Sequence, residues 1–192
     1  MTFTTLTESD GIAVLTIDRP PANAMNIALL GELVEVLSGV AASVPRALVV
    51  AGREGCFSAG VDLKEAPGYD AAQQRQMIVS INEMALGLYG LPCPVVAAIT
   101  GHAIAGGMVL ALGADVRIAS NGGRYGLTEV KVGVAYPKAA IGLARAELAP
   151  HAARVLALRS ELINAQTCHA LGVFDEVVAP DDVIPRAPRN CR

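Results

Sequence analysis

Two glycine-rich segments hold the residues best suited to chemistry. The first runs Cys56-Phe57-Ser58-Ala59-Gly60-Val61-Asp62-Leu63-Lys64-Glu65, the second Gly101-His102-Ala103-Ile104-Ala105-Gly106-Gly107-Met108-Val109. Each follows an apolar, strand-like run, and its small residues leave main-chain N–H groups uncovered. Neither supplies a serine–histidine pair, a metal cluster or a phosphate loop. Two uncovered N–H groups aimed at one point form an oxyanion hole, which stabilises negative charge developing on a carbonyl oxygen. The pattern therefore points to chemistry on a carbonyl, carried largely by the backbone. Glycines also serve tight turns and close packing, and the pair of segments is more specific than either alone.

The elements that must position these segments are legible from periodicity. Phe3 to Glu8 and Ile12 to Ile17 alternate around Asp10-Gly11, a hairpin signal. Asn23 to Leu37 carries apolar residues at helical spacing (Met25, Leu29, Leu33, Val36, Leu37), and Ala47 to Ala51 is a short apolar strand. Asp70 is placed to cap a helix reaching about Gly90, with Met77, Ile78, Ile81, Met84, Ala85 and Leu88 on one face, and Pro92 ends it. Val95 to Ile99 reads as a buried strand, Met108 to Gly113 as a helix, Asp115 to Ser120 as a strand, and the rest as mostly helical with a strand at Phe174 to Val178. Alternating strands and helices predict an α/β fold with mostly parallel pairing. Both glycine segments then fall at the carboxyl ends of strands, where such folds bind ligands.

The chain has 192 residues, enough for one domain with a full core. Hydrophobic residues make up 53% and charged residues 17%, a balance that predicts apolar surface buried between subunits. The net charge of −3 argues against nucleic acid as a partner. Cys56, Cys93, Cys168 and Cys191 lack C-x-x-C spacing and read as reduced thiols of a cytoplasmic protein, with no metal site. Met1 to Asp10 lacks the pattern of a secretory leader. Val95 to Ala114 is long and apolar enough to suggest a membrane span, but Gly101, His102, Gly106, Gly107 and Gly113 interrupt it, and it reads better as strand, turn and helix.

Phe57 to Glu65 and Gly101 to Gly107 resemble the two signature segments of the crotonase, or enoyl-CoA hydratase/isomerase, superfamily. Arg19-Pro20-Pro21-Ala22-Asn23-Ala24-Met25-Asn26 resembles its acyl-CoA-contacting loop, and Ala114 to Ala119 the strand after the oxyanion helix. The resemblance implies a crotonase-like (ClpP/crotonase) spiral of β-β-α turns over residues 1–184, with a shortened C-terminal helical region and an irregular tail at 185–192. It implies an acyl-CoA thioester substrate, no separate cofactor, and assembly as a homotrimer or a dimer of trimers. Carried over by position, the oxyanion donors are the N–H groups of Val61 and Gly106. CoA would run along Ala22, Asn23 and Ala24 and the loop of Ala59, Val61, Asp62 and Leu63, with Gly107 and Val109 lining the acyl pocket.

Hydratases of this family resemble one another in having two glutamates. Here the first position is Val109, which cannot transfer a proton, and the second is Glu129. One carboxylate suffices for a 1,3-proton shift, so the expected reaction is conversion of a 3-enoyl-CoA to a 2-enoyl-CoA. Weak hydration and non-catalytic acyl-CoA binding are the alternatives. An apolar pocket would raise the pKa of Glu129 toward neutrality. Without the resemblance, Glu129 would read as an exposed charge beside Lys131. Asp62 reads as a turn cap before it reads as catalytic, and His102, Asp115 and Arg117 read as structural. Cys56 has no basic neighbour that argues for a thiolate. The segment Pro185 to Arg192 has two prolines, three arginines and no helical period, which predicts no covering helix there.

Overall fold

A computed structural model describes residues 2–190. A hairpin of β1 (Thr4–Ser9) and β2 (Ile12–Ile17) leads into α1 (Ile27–Ser43). Three repeats then follow one pattern. β3 (Ala47–Ala51) and β4 (Gly55–Ser58) precede α2 (Ala71–Tyr89); β5 (Val95–Ile99) and β6 (Gly101–Ile104) precede α3 (Gly106–Leu112); β7 (Val116–Ser120) and β8 (Tyr125–Gly126) precede a 3-10 turn at Glu129–Val132. The first strand of each repeat joins a six-stranded sheet ordered β1-β2-β3-β5-β7-β9, where β9 is Glu176–Val178; the second joins a three-stranded sheet ordered β4-β6-β8. All pairings except β1 with β2 are parallel. This is the expected spiral of β-β-α turns. Helices α4 (Lys138–Glu147), α5 (Pro150–Ala153), a π-helical turn at Arg154–Leu158, α6 (Ala165–Ala170) and α7 (Val183–Arg186) complete the chain.

Central strands β3 and β5 are buried at every residue, as expected of parallel strands covered on both faces. α1 and α2 cover one face, with Leu29, Leu33, Leu37, Met84 and Leu88 in a core shared with Leu48, Val50, Ala97 and Ile99. Val183 and Ala187 seal the other face over Ala47, Val49, Val96, Ala98 and Ile118. That corrects the expected irregular tail. Residues 183–190 form helical turns, because Val183 and Ala187 sit one helical turn apart and bury onto the sheet. Cys191 and Arg192 lie outside the described residues, as does Met1.

Three boundaries differ from expectation. α1 begins at Ile27 rather than Asn23, because Asn23 adopts a left-handed φ of 48° and Met25 pairs with Val61, leaving Asn26 to cap the helix through its side chain. It continues past Leu37 because Val40 is also buried. In α2 the predicted Asp70 cap is present as a capping box with Gln73, but Ile78 is exposed, while Met77, Ile81, Met84, Ala85 and Leu88 meet the core. α3 starts at Gly106, ahead of the predicted Met108.

Candidate active site

Two loops lie side by side and are laced through their backbones. Ala59 N donates to Ala22 O at 3.0 Å, Met25 N to Gly60 O at 2.7 Å, and Asp62 N to Met25 O at 2.9 Å. The Val61 N–H, between these bonds, has no protein acceptor among the described residues. The Gly106 N–H is likewise free, because it is the first amide of α3 and no carbonyl stands one turn before it. Ala105 precedes it at φ 49° and ψ −119°, a conformation costly for a residue with a Cβ. The surrounding bonds hold it: Ala105 N donates to Gly126 O at 2.8 Å and Ala105 O accepts from Val109 N at 3.0 Å.

The two free amides are neighbours. A Cβ placed on Gly106 would lie 3.9 Å from Val61 N and 3.1 Å from Met25 Sδ, and one on Gly60 would lie 2.9 Å from Gly106 N. Gly60 also needs its φ of 79°, so it meets both the conformational and the steric demand for glycine. Two unpaired amides this close are the kind of donor pair, or cradle, that an oxyanion hole requires. Gly107 has a different job. A Cβ there would stand 2.2 Å from Ser58 O, so this glycine lets α3 pack on β4.

Side-chain bonds fix the cradle from behind. Asn23 is fully buried; its Nδ2 donates to Ile17 O at 2.9 Å and Phe57 O at 3.0 Å, and its Oδ1 accepts from Arg19 N at 2.7 Å. Its side chain is used up inside the fold, where it holds the loop expected to run along CoA. Asp62 is the turn cap the sequence suggested: Oδ1 accepts from Lys64 N at 2.9 Å and Glu65 N at 3.2 Å, and Oδ2 pairs with Arg19 at 2.7 Å. Arg19 also reaches Ala24 O and Glu65, and Glu65 binds Asn26. These partners, far apart in sequence, offer no spacing signal that would have revealed the network. Ala22, Ala24, Ala59, Val61 and Leu63 are partly or fully exposed along the same edge, with Leu63 at 66%.

Burial raises the Asp62 pKa, but bonds from Arg19, Lys64 N and Glu65 N outweigh it and leave the carboxyl below its ordinary value. A depressed folded pKa gives stability that is present above the unfolded value and lost as pH falls through the folded one. Asp62→Asn is therefore expected to cost about 1 kcal/mol at pH 7, as for a partly screened ion pair. The deficit should shrink below the ordinary carboxylate range, which urea unfolding at pH 7 and pH 3 would measure.

Glu129 enters through the three-stranded sheet. β6 pairs with β8, so Gly126 takes the Ala105 N–H and the chain then turns at Thr128 into the Glu129 helical turn. Glu129 is 9% exposed and its Oε2 has no hydrogen-bond partner, so it is buried, unlike the exposed charge that its place beside Lys131 alone would suggest. Burial pushes its pKa up, and its own main-chain N–H and the Tyr136 hydroxyl only partly offset that. Tyr136, absent from the sequence reading, is itself raised by burial and by the Glu129 charge. Val109 is 1% exposed within the main core.

The remaining polar candidates are structural. His102 Nδ1 accepts from Arg124 N, Asp115 accepts from Val95 N, and Arg117 binds Ala114 O, Val173 O and Glu147. Burial raises the Cys56 thiol, with Arg53 opposing, so it is no thiolate. A groove of about 290 Å³ lies between α2 and α4, lined by Leu86, Tyr89, Lys138, Ala139 and Leu143 among others. It holds neither the free amides nor a carboxylate, so the cradle remains the better candidate for chemistry.

Comparison with known proteins finds relatives along most of the chain. The family profile "Enoyl-CoA hydratase/isomerase" matches residues 7–192. The chain is 35% identical over 182 residues to a "Probable enoyl-CoA hydratase EchA17" of Mycobacterium tuberculosis, covering 92% of this chain and 68% of the relative. It is 31% identical to "Enoyl-CoA isomerase/hydratase fer4" of Mycosarcoma maydis, covering 88% of this chain and 66% of that protein. The crystal structure of enoyl-CoA hydratase EchA3 from Mycobacterium ulcerans superposes with a TM-score of 0.93 at 31% identity, over 100% of this chain and 84% of that one. Matched in sequence over residues 7–192 and in fold along its whole length, this chain belongs to the enoyl-CoA hydratase/isomerase family.

Proposed function

We propose that the chain isomerises 3-enoyl-CoA to 2-enoyl-CoA with Glu129 as the single proton carrier. The thioester oxygen accepts from Val61 N–H and Gly106 N–H, which acidifies the C2 proton. Glu129 removes that proton, the dienolate rests in the cradle, and Glu129 returns the proton at C4. Each donor is worth on the order of 3 kcal/mol to the enolate. Nothing is consumed, so no cofactor beyond the CoA of the substrate is needed. The observation that carries this reading is the pairing of one buried, unpartnered carboxylate with valine at position 109. Hydration favours a second carboxylate to hold and activate water, whereas a 1,3-shift needs one group that accepts and donates in turn. Mixed isomerase/hydratase naming in the relative fer4 is compatible with this.

Trans-3-hexenoyl-CoA in deuterated water, with products read by mass, tests the proposal. The 2-enoyl isomer should appear, and Glu129→Gln should not form it. Faster hydration of 2-hexenoyl-CoA than isomerisation would move the assignment to a hydratase, as the relative EchA17 is named. Acyl-CoA binding without any turnover would move it to a non-catalytic binder.

We further infer that the chain works as a cytoplasmic homotrimer or dimer of trimers. Support comes from apolar side chains left open on the subunit, including Val130, Val132, Val134 and Leu158, each at least 51% exposed. Among the described residues no helix is long and apolar enough to cross a membrane. Light scattering that gives a monomeric mass would overturn the assembly.

A further inference from the structure

The two free amides are tied to different neighbours. The loop carrying Val61 is hydrogen-bonded to residues 22–25, whereas the turn carrying Gly106 is held by Gly126 O through Ala105 N. Among the described residues no backbone hydrogen bond crosses from residues 59–62 to residues 104–107. The strands that lead to them, β4 and β6, pair only as far as Ser58 and Ala103. The separation of the two donors is therefore set by packing.

Met25 packs on both. Its N–H donates to Gly60 O at 2.7 Å and its carbonyl accepts from Asp62 N at 2.9 Å, so its main chain brackets the Val61 amide. Its side chain runs to the other donor. A methyl group on Gly106 would meet Met25 Sδ at 3.1 Å, closer than ordinary van der Waals contact, so the thioether lies against the open face of that glycine. Met25 is fully buried in the main core, which holds the side chain in place. Gly60 also fills space beside Gly106 N, but it belongs to the Val61 loop and moves with it.

We propose that Met25 is a positioning residue for the donor pair: its main chain fixes Val61, and the δ-position of its side chain fixes where Gly106 sits. This rests on the pair holding the thioester oxygen, as in the reaction proposed above. An oxyanion hole works only when both donors reach the same oxygen, and a misplacement of about 1 Å from a site outside the chemistry is costly. An unbranched thioether suits the task, because it threads an irregular gap between two loops.

Met25→Leu and Met25→Val separate this spacing from mere bulk. Leucine has carbon at the δ-position and valine stops one atom short, while both keep the main-chain bonds. Hexanoyl-CoA labelled with 13C at the thioester carbonyl is the probe, and difference infrared spectroscopy reads its bound C=O stretch, which falls as donors polarise the bond. The wild-type stretch should lie below that of free ligand. Leucine should match wild type, and valine should return at least halfway to the free value. With trans-3-hexenoyl-CoA, Met25→Val should lose about tenfold in kcat with KM changed less than about twofold, and Met25→Leu should stay within about threefold of wild type. A merely structural role would lower the Tm of Met25→Val and leave its bound stretch where wild type has it. That result in a folded Met25→Val overturns the proposal, as does a stretch in Met25→Leu displaced as far as in valine. A wild-type stretch no lower than that of free ligand overturns the donor pair itself, and this inference with it. The stretch is read without turnover, so a lack of isomerisation counts against the reaction alone. Should Met25→Val not fold, methionine methyl groups labelled with 13C give the second readout. The Met25 resonance, identified by its loss in Met25→Leu, should shift when hexanoyl-CoA binds, and one that does not move overturns the proposal.

Discussion

Glu129→Gln is expected to lose about a thousandfold in kcat, the scale of a deleted general base, and yet to be more stable than wild type. The carboxyl is buried with Oε2 unpartnered, and burial raises its pKa above the ordinary carboxylate value. A group raised in the folded state contributes stability fully below its unfolded pKa and loses that contribution as pH rises through the folded one. At pH 8 the ionised Glu129 is therefore a liability to the fold. Glutamine has the same shape without the charge, and should gain roughly 1 kcal/mol, within the range of substitutions that trade activity for stability. For a chain of this size that is about 2–4 °C in Tm. The gain should fade toward pH 4, where the glutamate is largely neutral in the unfolded chain and more fully so in the folded one. Thermal unfolding at pH 8 and pH 4, beside isomerase assays, measures both effects. A Gln variant less stable than wild type at pH 8 would mean that the carboxylate has a favourable partner in solution, and its role as a free base would fail with it.

The features most legible in the sequence were those set by local chemistry. Apolar runs such as Val95 to Ile99 and the Asp70 cap of α2 appear where composition placed them. The glycine segments were legible because a close backbone approach leaves no other residue type available, as at Gly60. What stayed hidden depends on partners brought together by the fold. Arg19 and Asp62 meet only when the two loops are laced together, and nothing in their spacing announces it. The start of α1 was misplaced because Met25 obeys the helical period but is taken by a bridge to Val61. The helical turns beyond Pro185 were missed for a similar reason. Two small apolar residues, Val183 and Ala187, are too weak a periodic signal, yet they bury fully on a sheet already formed. Tyr136 carries no motif at all, and its relation to Glu129 is a property of the folded turn.

Two adjacent glycines should fail in opposite ways, and the contrast separates chemistry from packing. In Gly106→Ala the new methyl group meets Met25 Sδ at 3.1 Å, the end of a flexible side chain that can yield by a few tenths of an ångström, and lies 3.5 Å from Gly60 Cα. The fold should survive with a loss of about 1 kcal/mol or less. The same methyl stands 3.9 Å from Val61 N, beside the space that the thioester oxygen enters in the proposed reaction. Displacing that oxygen from even one donor costs about 100- to 1000-fold in kcat/KM. In Gly107→Ala the methyl would lie 2.2 Å from Ser58 O and 2.8 Å from Ser58 C. That is main chain of β4 and cannot turn aside, so α3 and β4 must separate at a cost of about 3 kcal/mol or more. Gly107→Ala should therefore lose Tm first and activity as a consequence, whereas Gly106→Ala should lose activity at nearly unchanged Tm. The two variants share a helix turn and the same added atom, so a general sensitivity of the segment would move both measurements together. Near wild-type kcat/KM in Gly106→Ala would show that the thioester oxygen is held elsewhere. Near wild-type Tm in Gly107→Ala would show that β4 gives way more easily than its place in the parallel β4-β6-β8 sheet implies.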